Sequence, residues 1–418
     1  MTKRKNAEAS QPGAQATRSH AGAGRTSKPA AKAGPPAEQN PPSPPDLAPA
    51  APHAFPLHFS PLRLRRQLKA WYTQHARALP WRGARDPYAI WLSEIMLQQT
   101  RVTTVMDRYV EFLHRFPTIH DLAVAEEEAV LALWSGLGYY RRARMLHRGA
   151  QFVEREFGGK LPTTAARLRM LPGVGDYTAA AIASIAFGQS VAVLDGNVER
   201  VLLRLLGQAE QKSTSVRAQL LQAAQQLMPP SSRDPARENQ PGDHNQAMME
   251  LGALLCLPRA PLCPRCPVWE MCKTRGEHPT APRAAMQSRT VAHLLALRKR
   301  GVVTEVLLER RPMDAGLLPG MAELPPLPLH AVHGREPILR LRHAITNTNY
   351  YVQVFSEGVK LGGHSPASLL ARVLATPGER SWVATSHLGQ QPLTGVTRKT
   401  LQRLNLMSVP KVAIQPPA

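Results

Sequence analysis

The stretch of residues 171–200, LPGVGDYTAAAIASIAFGQSVAVLDGNVER, decides how the rest of this sequence is interpreted. Gly173 and Gly175 stand in a tight turn, and the alanine-rich run 178–187 behind them predicts a helix that ends at Gly188. A glycine turn that opens a helix directs unpaired N–H groups outward, and such a helix end binds phosphate oxygens. The turn is therefore a candidate phosphate site.

An acidic residue, Asp195, follows the apolar run 191–194 and precedes a second predicted helix over 198–206. An Asp in this place is commonly a plain helix N-cap, and Gly-x-Gly before a helix is also common. The spacing favours a functional interpretation, because one helix joins an anion-binding turn to a carboxylate. The turn could hold a nucleic-acid backbone while the carboxylate acts on the bound strand.

The composition agrees with a nucleic-acid partner. The 418 residues include 52 Lys and Arg against 30 Asp and Glu, a net charge of +22 that favours a polyanion. The length allows two folded domains, and residues 1–60, rich in Ala, Pro, Ser and Gly, are predicted to be a disordered basic tail. No membrane-length apolar stretch or signal-peptide core is found, so we expect a soluble intracellular protein.

A second carboxylate, Glu94, lies in a predicted helix that Asp86 caps and Pro87 begins. This helix is apolar on nearly every side from residue 90 to residue 97, so Glu94 is expected to be buried with a raised pKa. The alternative is a narrow solvated stripe that Glu94 shares with Ser93 and Gln98.

Further helices are predicted from apolar periodicity over residues 62–71, 105–116, 122–134, 142–157, 216–228 and 245–255, with a loop over 229–244. Between two of them, Gly136 and Gly138 favour a loop that exposes Tyr139 and Tyr140. Arg141, Arg142 and Arg144 follow, and exposed aromatic residues beside basic ones can stack on bases, although paired tyrosines in a helical protein are more often core.

All four cysteines lie within one short segment with the spacing Cys-x6-Cys-x2-Cys-x5-Cys: Cys256, Cys263, Cys266 and Cys272. Four thiolates so close together indicate one metal centre. Structural zinc usually takes two close pairs that are well separated, so the uneven spacing favours a cubane iron–sulfur cluster over zinc, and over disulfides.

These motifs together resemble the helix-hairpin-helix DNA glycosylases that carry an iron–sulfur cluster, and among them the adenine DNA glycosylases of the MutY type. The resemblance covers residues 61–275 and rests on WLSEIMLQQT, GLGYYRRAR, LPGVGDYTA, LDGNVER, NQAMMELGALLC and the cysteine spacing. It implies a mainly α core with a [4Fe-4S] module.

The resemblance also implies catalytic roles. Glu94 matches the general acid that protonates the departing adenine, and Asp195 matches the carboxylate that stabilises or attacks the sugar cation. Tyr177 and Asn197 match residues that support this pair. Two carboxylates flanking a glycosidic bond are also what the chemistry requires, since one must hold a proton and the other a charge.

The DNA-binding residues implied by the resemblance lie on both strands. Arg82 and Gln246 match positions that contact the flipped adenine, and the turn at Gly173 and Gly175 matches the phosphate clamp. Gln99 and Tyr139 match residues inserted at the vacated stack, while Thr100 and Leu137 match neighbours of 8-oxoguanine on the opposite strand.

Tyr177 separates the close relatives, because endonuclease III has at this place a lysine that forms a Schiff base and cuts the strand. The resemblance thus implies a monofunctional glycosylase of base-excision repair that removes adenine mispaired with 8-oxoguanine or guanine. A thymine or uracil mismatch glycosylase and a non-catalytic mismatch-binding protein are the alternatives. The implied partner is double-stranded DNA with an adenine:8-oxoguanine mismatch, and we expect a monomer.

A second domain is predicted over residues 289–410, after a linker over 276–288. Short strand patterns there resemble the α+β Nudix-like C-terminal domain of adenine glycosylases, without a magnesium-binding helix. In the lesion-sensing loop, where the family commonly has Phe-Ser-His, this chain has Ile345, Thr346 and Asn347, so Thr346 keeps the hydroxyl. We expect the protein to be located in the cytoplasm, at the nucleoid, if it is bacterial, and in the nucleus or mitochondrion if it is eukaryotic.

Overall fold

The computed structural model describes residues 54–211, 213–232, 240–279, 285–358 and 368–408. Their first part is helical and their second part contains a mixed β-sheet, in agreement with the predicted order of a mainly α part and an α+β part. In this portion of the chain no helix is both long and apolar enough to cross a bilayer. The predicted tail, apart from its last seven residues, lies outside the described residues.

The helices of the first part are α1 Pro61–His75, α2 Pro87–Leu97, α3 Val102–Arg115, α4 Ile119–Ala123, α5 Glu127–Trp134, α6 Arg141–Phe157, α7 Ala165–Leu168, α8 Asp176–Phe187, α9 Gly196–Leu206, α10 Thr214–Leu227 and α11 Gln240–Leu254. Their boundaries follow from local chemistry. Asp86 caps α2 by accepting from two backbone N–H groups, and Gly188 ends α8 in the left-handed conformation that favours glycine.

Two of the predicted helical boundaries are wrong. Residues 122–134, expected as one helix, form parts of α4 and α5, because Thr118 and Asp121 make a capping box that begins α4 early and residue Glu126 is extended. The predicted loop over 229–244 ends sooner than expected, since α11 already begins at Gln240. Residues 233–239 of that loop lie outside the described residues.

The helices enclose two apolar cores, and α8 lies between them. Ala179 and Ile182 of α8 pack in the first core with Trp91 of α2, while Ala180 and Ala181 pack in the second core with α9 and α11. A helix with small side chains on every face can contact both cores at once. The residues at its N-terminal end therefore lie where the two halves of the helical part meet.

Residues 54–60 are ordered. The prediction that the tail is disordered up to residue 60 is therefore wrong for its last seven residues. Phe55, Leu57 and Phe59 pack against the second core, and the ring of His58 lies 2.8 Å from the carbonyl oxygen of Met271. Three alternating aromatic and aliphatic side chains bury enough apolar surface to hold this short segment in place.

The second part of the chain forms a seven-stranded sheet within the described residues. Its strands are β1 Gln287–Arg300, β2 Val303–Arg310, β3 Ala322–Glu323, β4 Pro326–Leu327, β5 Leu339–Ile345, β6 Thr348–Gly358 and β7 Glu379–Ala384. The main order is β3-β2-β1-β6-β5; β1 and β6 are parallel, and the other pairs are antiparallel. β1 has 14 residues, longer than predicted, and takes up the last two residues of the predicted linker.

Two helices, α12 Leu369–Leu374 and α13 Gly395–Arg403, pack with the sheet. The helical part contacts this region directly, because Met321 inserts its fully buried side chain into the first helical core. The hydroxyls of Ser135 and Tyr140 both donate to the carbonyl of Leu393, at 3.0 and 2.9 Å. The loop that precedes α6 is thus anchored to the sheet region.

Candidate active site and nucleic-acid interface

Glu94 lies on the third turn of α2 and is 6% exposed. The helix is apolar around it, so the carboxyl has lost most of its water. The pKa of Glu94 is raised to about 7, mainly by burial. The negative charge of Asp195 also raises it, and the hydrogen bond from Tyr177 acts in the opposite direction. Glu94 is therefore a carboxyl that holds a proton for much of the time near neutral pH.

Tyr177 connects Glu94 to the glycine turn. Its hydroxyl donates to Oε2 of Glu94 at 2.9 Å and lies 3.3 Å from the sulfur of Met249. Burial raises the pKa of Tyr177 well above its ordinary value, so the phenol stays protonated and acts as a donor. Because Tyr177 is the second residue of α8, the position of the turn fixes the position of this hydroxyl.

Asp195 caps α9 and faces the same site. Its Oδ1 accepts from the backbone N–H of Val198 at 2.7 Å, and its Oδ2 accepts from the amide of Asn197 at 3.2 Å. Burial raises the pKa of Asp195, while these hydrogen bonds lower it. Its charge acts on both Glu94 and Tyr177, so the three groups share one electrostatic environment. Both interpretations of Asp195, N-cap and functional carboxylate, fit this geometry.

Asn197 is held by contacts on both sides. Arg200 donates to Oδ1 of Asn197 at 2.9 Å and to the carbonyl of Gly252 at 2.7 Å. A Cβ added at Gly252 would lie 2.7 Å from the Cβ of Asn197, so only glycine allows α11 to pack this close. The amide that supports Asp195 is therefore positioned by a close helix contact.

Arg82 is engaged by a buried carboxylate that the sequence analysis missed. Glu250 of α11 accepts from Arg82 at 2.6 and 3.0 Å and from the side chain and backbone of Arg77, and only 1% of its side chain is exposed. Its position in the otherwise apolar second half of α11, residues 247–254, four residues after the half-buried Gln246, is the signal that could have found it. Burial acts to raise the pKa of Glu250, but the hydrogen bonds and charges of the two arginines together outweigh it and lower the pKa to about 2.

Gly173 is sterically required in the turn. Its φ is +78°, and an added Cβ would lie 2.5 Å from the Cβ of Met145. Gly175, by contrast, has a φ of −91°, and an added Cβ would meet no atom within 4 Å. The turn therefore packs against α6 on one side and leaves open space beside Gly175 on the other.

Replacing Gly173 by alanine is expected to lower the free energy of unfolding by about 2–4 kcal/mol, because the substitution combines a left-handed backbone with a steric overlap. Gly175→Ala is the matched control and should change it by about 1 kcal/mol or less, since its backbone conformation suits any residue. Urea denaturation midpoints measure both. Equal losses would contradict the assigned packing.

Two exposed loop tips, one at Gln99 and the other at Tyr139, lie near the end of α2. Gln99 and Tyr139 both have positive φ values, +54° and +49°, and Tyr139 is 46% exposed. The hydroxyl of Thr100 donates to the carbonyl of Leu137 at 3.2 Å and joins the two tips. Non-glycine residues in this conformation are strained, and such strain is concentrated at functional sites.

Two features of this loop differ from the predictions. The side chain of Leu137 is 4% exposed and packs in the first core, so its place beside 8-oxoguanine stays a prediction that only its backbone could meet. Tyr140 is also buried, with its hydroxyl bonded across to Leu393. The predicted basic cluster is divided: Arg141 is exposed, whereas Arg144 pairs with Glu127.

Thr346 lies at the two-residue turn between β5 and β6, since Ile345 pairs with Thr348. It is exposed, has a φ of +51°, and donates its hydroxyl to the carbonyl of Ile345 at 2.7 Å. A β-branched residue is unfavourable in this conformation. The structure therefore presents Thr346 at an exposed, strained tip.

The four cysteines are free and partly buried around two short 3₁₀ turns, Cys263–Arg265 and Trp269–Met271. Burial, together with the charges of the other three thiols, raises the pKa of Cys266 to about 12. The buried Arg204 of α9 donates to the sulfur of Cys256 at 3.4 Å and to the carbonyls of Leu257 and Pro258. One helix thus carries Asp195 at its beginning and contacts the cysteine loop near its end.

Comparison with known proteins supports the class that these features define. Residues 92–226 match the model of the HhH-GPD superfamily base excision DNA repair protein, and this region contains Glu94, Tyr177 and Asp195. The resemblance to helix-hairpin-helix DNA glycosylases is therefore confirmed.

The chain is also similar to adenine DNA glycosylases. It is 52% identical over 222 residues to the adenine DNA glycosylase of Homo sapiens, a match covering 50% of this chain and 39% of that protein. It is 38% identical over 306 residues to that of Arabidopsis thaliana, covering 63% of this chain and 47% of that protein. The matches thus span less than half the length of either relative.

A solved structure of a thermostable thymine-DNA glycosylase is 28% identical, covers 51% of this chain and 96% of its own, and has a TM-score of 0.46. A likeness at this TM-score does not distinguish adenine from thymine as the substrate.

Proposed function

We propose that this chain is a monofunctional DNA glycosylase of base-excision repair that hydrolyses the N-glycosidic bond of adenine opposite 8-oxoguanine or guanine in double-stranded DNA. The observation that carries the proposal is the convergence of Glu94, Tyr177 and Asp195 in one site. The similarity to curated adenine DNA glycosylases supports adenine as the base.

Glu94 is the proposed general acid. A purine leaves poorly as an anion, so protonation of the base before or during bond cleavage accelerates its departure. The raised pKa of Glu94, about 7, lets the carboxyl hold a proton near neutral pH and release it to a ring nitrogen of adenine. The hydroxyl of Tyr177 stabilises the carboxylate that remains.

Asp195 is the proposed carboxylate for the sugar cation. Departure of the base leaves positive charge on C1′ and the ring oxygen, and a nearby anion stabilises it. The hydrogen bonds from Val198 and Asn197 lower the pKa of Asp195 and fix its direction at the start of α9, against the burial that raises it. Water then adds at C1′ and loses a proton, which restores the acid form of Glu94, and an abasic site is formed.

The absence of strand cleavage follows from the chemistry of position 177. A phenol cannot form the Schiff base through which a lysine amine starts strand scission. Because Tyr177 is bonded to Glu94, it supports the general acid instead. We therefore propose that the product is an intact strand with an abasic site.

A [4Fe-4S] cluster held by Cys256, Cys263, Cys266 and Cys272 is part of the proposal. The donor set fits: four unpaired thiols within electrostatic range of one another are the usual ligands of such a cluster. Among the described residues, no group of three or more His, Cys, Asp or Glu side chains is arranged as a metal-ion site, so the proposal rests on the cysteine donor set and its spacing.

The cluster would fix the loop that Arg204 contacts and is not used in the chemical step. We expect purified protein to contain about four irons per chain, as a cubane requires, and to absorb visible light. Cys263→Ser should lower the iron content and weaken DNA binding more than it lowers the excision rate of bound substrate. One zinc ion and no iron would contradict this part of the proposal.

Recognition of the opposite strand is proposed for the tips at Gln99 and Tyr139 and for the turn at Thr346. All three are exposed and in the left-handed conformation, and Thr346 keeps the hydroxyl that the family commonly has in the lesion-sensing loop. Arg82 and Gln246 would meet the extruded adenine, with Arg82 already oriented by Glu250. The protein would act as a monomer in a compartment that contains duplex DNA.

The test is single-turnover incubation of the full chain with adenine:8-oxoguanine, adenine:guanine and thymine:guanine duplexes, followed by hot alkali. Strand breaks on the adenine duplexes that appear only after alkali are expected. Breaks without alkali would indicate a lyase, breaks on thymine:guanine alone would indicate the thymine enzyme, and binding without any break would indicate a mismatch-binding protein.

A further inference from the structure

Arg142 of α6 has no role in the proposed chemistry, yet its side chain contacts two separate segments, residues 95–100 and residues 137–138. Its two terminal nitrogens share their hydrogens among five acceptors: Nη1 lies 2.6 and 2.9 Å from the carbonyls of Ile95 and Met96, and Nη2 lies 3.0 Å from the hydroxyl of Thr100 and 3.1 Å from each of the carbonyls of Leu137 and Gly138. One side chain thus joins the C-terminal end of α2 to both exposed tips.

All five acceptors are uncharged, so the charge of Arg142 is stabilised without a carboxylate. The carbonyls at the end of α2 carry the negative end of the helix dipole and have no partner within the helix. The guanidinium also lies over the rings of Trp134 and Tyr139, 5.3 and 5.7 Å from their centroids. Burial lowers the pKa of Arg142 to about 10, which leaves it charged at neutral pH.

The segments that Arg142 joins are the strained ones. Gln99 precedes Thr100, and Tyr139 follows Gly138, and both tips have a left-handed backbone. Each such residue costs about 1–2 kcal/mol, so neighbouring contacts must hold it. Arg142 contributes bonds to a residue adjacent to each tip, and it contacts the same helix end that follows Glu94.

We propose that Arg142 is a positioning residue that holds the Gln99 and Tyr139 tips in the geometry needed to enter the base stack, in register with the helix that carries Glu94. The inference rests on the proposed function. It assigns to Arg142 the step in which adenine leaves the duplex, and leaves proton transfer to Glu94.

This role predicts a split between substrates. An adenine in a single-stranded loop has no intact duplex stack to open, so its excision does not depend on the tips. Excision of a paired, stacked adenine does depend on the tips. Misplacing positioning groups by about 1 Å costs on the order of 10²-fold in rate, so loss of Arg142 should slow reactions of the duplex by about 10–100-fold.

The experiment compares Arg142→Gln, Arg142→Lys and the control Arg148→Gln, which removes an exposed arginine of the same helix. Stopped-flow fluorescence of 2-aminopurine opposite 8-oxoguanine measures extrusion in a Glu94→Gln background, and single-turnover assays measure excision. Arg142→Gln should slow extrusion and duplex excision about 10–100-fold and leave loop excision within about twofold. Arg142→Lys should have rates of extrusion and duplex excision between those of the wild type and Arg142→Gln, because lysine keeps the charge and loses the planar arrangement of donors.

Two results would overturn the inference: extrusion by Arg142→Gln at the wild-type rate, or equal losses of excision on duplex and loop substrates together with a lower thermal midpoint, which would indicate a purely structural role. If the wild-type chain excises no base from any substrate, the proposed function fails. The extrusion measurement would still decide the role of Arg142, because it does not require cleavage.

Discussion

Glu94→Gln should lower the single-turnover rate of adenine excision by about 10²–10⁴-fold, the usual contribution of a general acid. Glutamine has nearly the same volume and can still accept the hydrogen bond from Tyr177, but it has no proton of suitable acidity to give. Affinity for the mismatch duplex should change little, because the substituted side chain is buried and the exposed tips are unchanged.

The matched control is Gln98→Glu in the Glu94→Gln background, which places a carboxylate at the residue that ends α2. It should not restore excision, since the side chain of Gln98 is bonded to Thr178, whereas that of Glu94 is bonded to Tyr177. Unimpaired excision by Glu94→Gln alone would show that another group protonates the base.

Glu250→Gln is expected to lower the free energy of unfolding by about 3 kcal/mol, near the lower end of the range for breaking a buried ion pair. The substitution leaves two guanidiniums facing an amide. The side chain of Arg77 is 36% exposed and can regain water, whereas that of Arg82 is 15% exposed and cannot fully do so. Denaturant unfolding at neutral pH measures the difference.

The pH dependence of this effect has a definite sign. The pKa of Glu250 is lowered in the folded protein to about 2, so its stabilising contribution is present above the ordinary glutamate pKa and is lost as the pH falls toward 2. The difference between wild type and variant should therefore shrink in acid. Glu336→Gln is the control, because its pair with Arg340 is largely exposed and contributes about 1 kcal/mol or less. Equal losses for both variants would contradict the assigned clamp.

The parts of the fold that the sequence predicted correctly depend on local rules. Asp86 and Pro87 begin α2 because a cap and a proline act on their immediate neighbours, and Gly188 ends α8 for the same reason. The expectation that Glu94 is buried was also met, since an apolar residue on every side of a helix leaves no solvated stripe.

What could not be predicted depends on partners distant in sequence. Nothing local shows that Glu250 pairs with Arg77 and Arg82, more than 160 residues earlier. Tyr140 was expected to be exposed like Tyr139, but its hydroxyl reaches Leu393 of the sheet region. Composition alone suggested a disordered segment up to residue 60, yet the second core provides a surface for Phe55, Leu57 and Phe59.

The most direct test of the paired carboxylates is the pH profile of single-turnover excision from an adenine:8-oxoguanine duplex. Glu94 must hold its proton, so the rate should fall as the pH rises through about 7. Asp195 must be ionised and its pKa is raised, so the rate should fall again in acid, from a pH above the ordinary aspartate range. The residual activity of Glu94→Gln should keep the acid limb and lose the alkaline one. An alkaline limb that is unchanged in Glu94→Gln would contradict the account.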